Sequence, residues 1–316
     1  MPTRRREPLT LRKHHLLAAA AALALLGAAP APEPGAAKAS VIKAPSAQLY
    51  VEERGQGAGT PLLVVNGGPG FDHNYLHVSQ AWDVLAKKRR VIFYDQRGNG
   101  RSPALANGQS CLLADQIEDL EAVRAYSGAD KVDLLGHSWG GYLVMAYAAR
   151  HPEHIAHLLI VDSAAPKWGD TRFIFNDVYP ETIAKQDALQ FADTLGDQKA
   201  IDDGIKQYLT MLFVSAEKRD AFMAHADDYH YNRPINQTLN TDLARFDLNP
   251  ELPKYNFPTL VLTGRFDANV APSTAWKIHQ AIPGSRFTVF ERSGHLPFYE
   301  EPEAFVRVVE EFLAGK

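Results

Sequence analysis

The sequence predicts an α/β domain: a mostly parallel sheet with helices on both faces and a helical segment inserted between two strands. Three observations carry this. From Ala47 onward short β-branched runs alternate with longer helical stretches. Most of the runs are apolar at consecutive rather than alternate positions, the pattern of strands covered on both faces. Residues 165–250 break the rhythm with a long, polar, helical pattern that holds no convincing strand.

The elements follow in order. Strands are expected at 48–52, 62–65, 90–94, 131–135, 157–161, 259–263 and 286–290, each ending in glycine or a polar turn. Residues 111–126 and 302–313 read as amphipathic helices. An insert placed between sheet strands lies over their carboxyl ends, where open α/β sheets bind ligands.

The first 39 residues stand apart. Arg4, Arg5, Arg6, Arg12 and Lys13 precede an apolar run from Leu16 to Leu26, and small residues with prolines follow. That is a signal-peptide layout, with cleavage after Ala29 or Ala39; an uncleaved anchor and a disordered tail are the alternatives. Eleven apolar residues rise only ~16 Å as a helix, against ~30 Å of hydrocarbon, which disfavours a spanning segment. The organisation is therefore a leader at 1–39, a first core part at 40–164, the insert at 165–250 and a second core part at 251–316. Export, to a periplasm or the exterior, is the expectation, with no membrane association after cleavage.

Composition narrows the function. The chain has 316 residues, 46% of them apolar and 22% charged, enough for a large packed core. Cleavage after Ala39 leaves 27 basic and 35 acidic residues, a net charge of −8, which argues against nucleic-acid binding. The single cysteine, Cys111, permits neither an internal disulfide nor a cysteine zinc cage and reads as a small packed residue.

Chemistry concentrates at Gly136-His137-Ser138-Trp139-Gly140, a G-x-S-x-G pattern placed directly after a predicted strand and before a predicted helix. A turn that tight holds the serine above the sheet edge in a strained backbone and requires small neighbours. A serine hydroxyl needs a base, and the base needs an orienting acid. His295, just past the last strand, is the expected base. His137 is bound into the elbow and is expected to point away from Ser138. Asp267 follows the 259–263 strand and gives the chain order Ser, Asp, His; Asp162, also at a strand end, is the alternative acid. The oxyanion needs two N–H donors. Trp139 N–H is one. Gly68 is the expected second within Asn66-Gly67-Gly68-Pro69-Gly70, because Pro69 has no N–H, and Gly67 is the reserve. The loop lacks the lysine of a phosphate-binding motif.

At these residues the chain resembles the α/β-hydrolase family, and more closely its prolyl aminopeptidase (proline iminopeptidase) branch. NGGPG at 66–70, DQRGNGRS at 95–102 and GHSWGG at 136–141 carry the likeness, with Asp267 in GRFD and His295 in SGH. The resemblance implies an α/β-hydrolase fold in which 165–250 is a cap domain. It implies a cofactor-free, metal-free acyl-enzyme reaction on Ser138, with a small molecule or short peptide as substrate. The sequence departs from that branch at Asn66, where histidine is usual, in DSAAP after Val161, and at Ala268, where some members carry a glutamate. Members of the branch hold the substrate's amino terminus with acidic cap residues, a role for which Glu217, Asp227 and Asp228 are available. Asp95 and Arg97 are expected to fix a turn beside the site. The expected activity is removal of a small N-terminal residue. A carboxylesterase, a cofactor-free haloperoxidase and a non-catalytic ligand-binding homologue are the rivals.

Overall fold

A computed structural model describes residues 37–194 and 196–316. The expected leader lies outside the described residues apart from its last three positions. The strands are β1 (Lys38–Lys43), β2 (Gln48–Arg54), β3 (Leu62–Val65), β4 (Val91–Tyr94), β5 (Val132–His137), β6 (Ile155–Val161), β7 (Thr259–Gly264) and β8 (Arg286–Phe290). They form one sheet in the order β1-β2-β4-β3-β5-β6-β7-β8, antiparallel through β1, β2 and β4 and parallel from β4 to β8.

Every residue of β3, β4, β5 and β7 is buried. They have no solvent face because helices cover both sides. On one side α2 (Leu113–Ser127), α3 (Trp139–Arg150) and α9 (Pro272–Ala281) pack with Leu63, Val65, Leu134 and Ile160. On the other, α1 (Ala81–Ala86) and α11 (Pro302–Leu313) pack with Leu62, Val64, Leu135 and Leu262, centred on Trp82 and Phe305. Each fully buried side chain of this size contributes roughly 1.5–3 kcal/mol.

β1 is absent from the expected strands. Lys38–Lys43 alternates exposed and partly buried positions and pairs in register with β2, Lys38 opposite Glu53 and Lys43 opposite Gln48. The 39/40 boundary falls inside this strand, whereas a cut after Ala29 leaves it whole. Cys111 is buried just before α2, its thiol pushed up to about 11 by burial.

Between β6 and β7 the chain runs through α4 (Phe175–Val178), α5 (Pro180–Thr194), α6 (Gln198–Thr210), α7 (Ala216–Met223) and α8 (Arg233–Leu243). No strand occurs among the described residues of this insert. Its two ends meet in a bridge between Lys167 and Asp247, and Leu248 N–H donates to Pro166 O at 2.9 Å. α6, α7 and α8 start at Asp197, Ser215 and Asn232, whose side chains accept N–H bonds from Ala200, Lys218 and Ile235. Among the described residues no helix is long and apolar enough to cross a membrane.

Candidate active site

The carboxyl ends of β3, β5, β6, β7 and β8 deliver Asn66, Ser138, Asp162, Asp267 and His295 to one edge of the sheet. Ser138 joins β5 to α3 at φ 58°, ψ −120°. Small neighbours are required there: a Cβ on Gly136 would stand 2.2 Å from Gly140 O, and one on Gly140 would stand 2.3 Å from Val65 O. The elbow expected from the sequence is present.

Two glycines bring the acid and the base together. A Cβ on Gly264 would lie 1.9 Å from Gly294 O, so the loops after β7 and β8 touch backbone to backbone. Arg265 N–H and Phe266 N–H donate across this contact to Phe290 O and Ser293 O at 2.9 and 3.0 Å. The result is a hydrogen bond of 2.7 Å from His295 Nδ1 to Asp267 Oδ2. Asp267 Oδ1 accepts from the N–H groups of Asn269 and Val270 at 2.8 and 2.9 Å.

Asp162, the alternative acid, is the neighbour of Asp267 rather than its competitor. It sits at φ 44°, its Oδ1 accepts Gly264 N–H at 2.9 Å, and oxygens of both carboxyls and a ring nitrogen of His295 lie within 4.8 Å of one another. Burial drives Asp162 far above the ordinary carboxyl range, and Asp267 raises it further. Burial raises Asp267 as well, but the N–H of Val270, the Asp162 carboxyl and the N–H of Asn269 pull it back. Of the two coupled carboxyls Asp162 is raised the more, and Asp267 is the one that faces the imidazole.

Burial lowers His295 to about 3, so the ring is neutral at rest. Its Nδ1–H points at Asp267, which leaves Nε2 a bare lone pair. No hydrogen bond among the described residues joins that nitrogen to Ser138 Oγ. Asn269 Nδ2 occupies it instead, at 2.9 Å.

His137 does more than point away from Ser138. Gly67 N–H donates to Tyr75 Oη at 2.6 Å, Tyr75 Oη–H donates to His137 Nδ1 at 2.7 Å, and His137 Nε2–H donates to His295 O at 2.8 Å. This relay ties the glycine loop after β3 to the histidine loop after β8. Gly67, the reserve donor, has its N–H taken, while the N–H groups of Gly68 and Trp139 donate to no acceptor among the described residues. Asn66, fully buried, holds the same loop by donating to Gly67 O and Phe71 O at 2.9 Å, which accounts for an amide where the resembling branch has an imidazole. Arg97 is structural as expected: its Nε and Nη2 grip both oxygens of Asp119 at 2.7 and 2.8 Å in the core.

Two chambers meet at Ser138 and share Gly68, Phe71 and Tyr208. The smaller, about 30 Å³, is walled by Tyr75, Leu209, Leu212, Phe222, Tyr229 and Leu296. The larger, about 260 Å³, presents Trp139, Trp168, Gln186, Asn236, Asn240 and Asn269. No carboxylate among the described residues lines either. Glu217, Asp227 and Asp228 are not brought here, which corrects their expected role: all three are exposed, Asp227 pairs with Lys206 at 2.7 Å, and Asp227 and Asp228 border a separate groove with His225 and His230. Acidic residues on short, exposed cap helices form a solvated face. Besides the apolar and amide side chains that wall the chambers, the cap meets the site through main chain. Leu212 O accepts His295 N–H at 2.8 Å, and Glu300 in α10 (Pro297–Glu300) accepts from Val214, Ser215 and Gly294.

The alpha/beta hydrolase fold family matches residues 60–302. The chain belongs to the α/β-hydrolase family. Within it, this α/β-hydrolase is proline iminopeptidase-like. It is 32% identical over 267 residues to a proline iminopeptidase of Heyndrickxia coagulans, covering 81% of this chain and 91% of that one. It is 31% identical over 280 residues to that of Saccharolobus solfataricus, covering 84% and 88%. An esterase from Exiguobacterium antarcticum superposes with a TM-score of 0.69 at 28% identity, over 88% of this chain and 100% of that one. An alpha/beta fold family hydrolase from Bacillus anthracis shares the fold, with a TM-score of 0.72 at 21% identity over 87% and 99%. The α/β-hydrolase described here is thus a hydrolytic enzyme.

Proposed function

We propose that this enzyme is a serine hydrolase that forms an acyl-enzyme on Ser138 and acts on small uncharged carboxylic esters. His295 takes the Ser138 proton, Asp267 orients the ring, and the N–H groups of Gly68 and Trp139 receive the oxyanion. The ring nitrogen then returns the proton to the leaving oxygen, so the leaving group lies on the Nε2 side, in the amide-lined chamber that contains Asn269. The short acyl group occupies the small apolar chamber.

One observation carries the choice of substrate: the lack of any carboxylate among the described residues lining the two chambers. A substrate with a free amino terminus places an ammonium one atom from the scissile carbonyl, and such a charge buried without a partner is strongly disfavoured. Residue 268 is alanine and buried, and supplies none. Aminopeptidase activity is the second reading, supported by the relatives named proline iminopeptidase. The decisive assay compares p-nitrophenyl butyrate with proline p-nitroanilide, using Ser138→Ala as the blank. Ester turnover well above that of the anilide is expected; the reverse order rejects the ester reading. Export is proposed alongside, supported by the basic and apolar leader. N-terminal sequencing of the exported fraction should find a chain that lacks the basic and apolar leader.

A further inference from the structure

We infer that Asn269 is a positioning residue that occupies the base nitrogen of His295 at rest and releases it when the substrate offers its amide another acceptor. Asn269 is 4% exposed and His295 2%. The side chain of Asn269 faces Nε2 at 2.9 Å, and its main-chain N–H bonds Asp267 at 2.8 Å, so one residue touches both members of the dyad. Because Nδ1–H is committed to Asp267, the group meeting Nε2 is the NH2 of Asn269, a donor into the lone pair needed to take the serine proton.

That arrangement has a chemical consequence. While the amide sits there, Ser138 has no base. Moving it away costs the buried NH2 this acceptor, its other neighbour being the Tyr208 hydroxyl, and so opposes the motion unless a new acceptor appears. Asn269 lines the larger chamber together with Asn236 and Asn240, so a substrate whose leaving group carries a neutral acceptor, an ether or carbonyl oxygen, draws the amide off Nε2 as it binds. Recognition and activation of the base are then one event. This rests on the serine-hydrolase reading above and deepens it by naming the leaving-group class.

The ionisable groups around the ring are Asp267 after β7, Asp162 after β6, His137 of β5 with ring centroids 4.7 Å apart, Glu300 of α10 through Gly294 N–H, and Tyr208 of α6. Asn269→Ala leaves all five in place and removes only the donor that favours the neutral ring, so the acid limb of the pH profile moves upward. Asn269→Asp, of the same shape, replaces the donor by an anion that favours the charged ring and moves the limb further up.

The test uses the whole folded enzyme. Labelling of Ser138 by diisopropyl fluorophosphate reports base release without a chamber-filling acceptor, and kcat/KM is compared for 2-methoxyethyl butyrate and its hydrocarbon isostere n-butyl butyrate. In Asn269→Ala, labelling should rise about fivefold or more, and the preference for the methoxyethyl ester should collapse toward the intrinsic ratio of the two esters. Asn269→Asp should show the larger upward shift of the acid limb. Protein in which neither wild type nor Asn269→Ala labels at Ser138 rejects the serine-hydrolase reading. Wild-type protein that labels, with variants unchanged in labelling rate, ester preference and acid limb, overturns the role of Asn269 alone.

Discussion

Two buried histidines in this molecule each hold a carboxylate on Nδ1, and they serve different ends. His73 meets Asp95 at 2.6 Å; His295 meets Asp267 at 2.7 Å. Burial opposes charge on both rings. At His73, Asp95 and Glu52 outweigh it and raise the pKa, while at His295 burial prevails. The far nitrogen separates them. That of His73 is packed against Arg101 Nη2 at 3.0 Å, with Glu52 at 3.8 Å, inside a cluster where Arg54 and Arg101 already neutralise the acids. That of His295 borders a chamber containing a serine. A histidine–carboxylate hydrogen bond marks order, and a base is defined by what its other nitrogen can reach.

Substitutions at the two dyads break the comparison. Ser138→Ala should lower kcat by about 10⁶-fold with an unchanged circular-dichroism spectrum, as expected where serine, base and acid act as a unit. Asp267→Asn should cost on the order of 10⁴-fold in kcat, because the ring loses the acceptor that fixes its tautomer. Asp95→Asn, at the other dyad, should spare kcat measured per folded molecule and lower the unfolding free energy by about 3–5 kcal/mol, the usual cost of breaking a buried ion pair. Its pH dependence has a definite sign. Despite burial, His73 holds Asp95 down to about 2. The stability this carboxylate contributes is therefore present above the ordinary value near 4 and is lost as pH falls toward 2. Urea midpoints of wild type and Asp95→Asn should converge over that interval.

The smallest effect sharpens the roles within one dyad. Asp162→Asn keeps an oxygen for Gly264 N–H and a donor for Asp267, and asparagine tolerates the positive φ at this position. It should cost less than about tenfold in kcat/KM, equivalent to one modest hydrogen bond. A loss matching that of Asp267→Asn would make Asp162 an acting acid rather than a support for Asp267.

Legibility in the sequence follows the range of the forces involved. The elbow and the Asp267–His295 pair were readable because local rules govern them: a strand, a glycine on each side of the serine, a fixed chain order. Leu62–Val65, Arg286–Phe290 and Pro302–Leu313 were readable to the residue because each has a pattern of its own: an all-apolar run, a short aromatic and β-branched run, and an amphipathic repeat that starts at a proline. β1 was not, since an alternating six-residue edge strand beside an alanine- and proline-rich stretch has no pattern of its own until β2 pairs with it. The relay through His137 and Tyr75 and the contact made by Asn269 were missed for a related reason. Their importance lies in partners up to 158 positions away in the chain. Gly264 and Gly294 were the available hint that two loops cross. The acidic cap residues misled because charge on a helix says nothing about which way the helix faces.

The environment of Cys111 has a practical corollary. It is the chain's sole thiol, it is 6% exposed, and its raised pKa leaves almost no thiolate at neutral pH. Alkylating reagents reach it when the segment around it opens, so the rate of its modification follows that opening. The protein carries its own stopwatch for breathing, readable by mass spectrometry without any engineered probe.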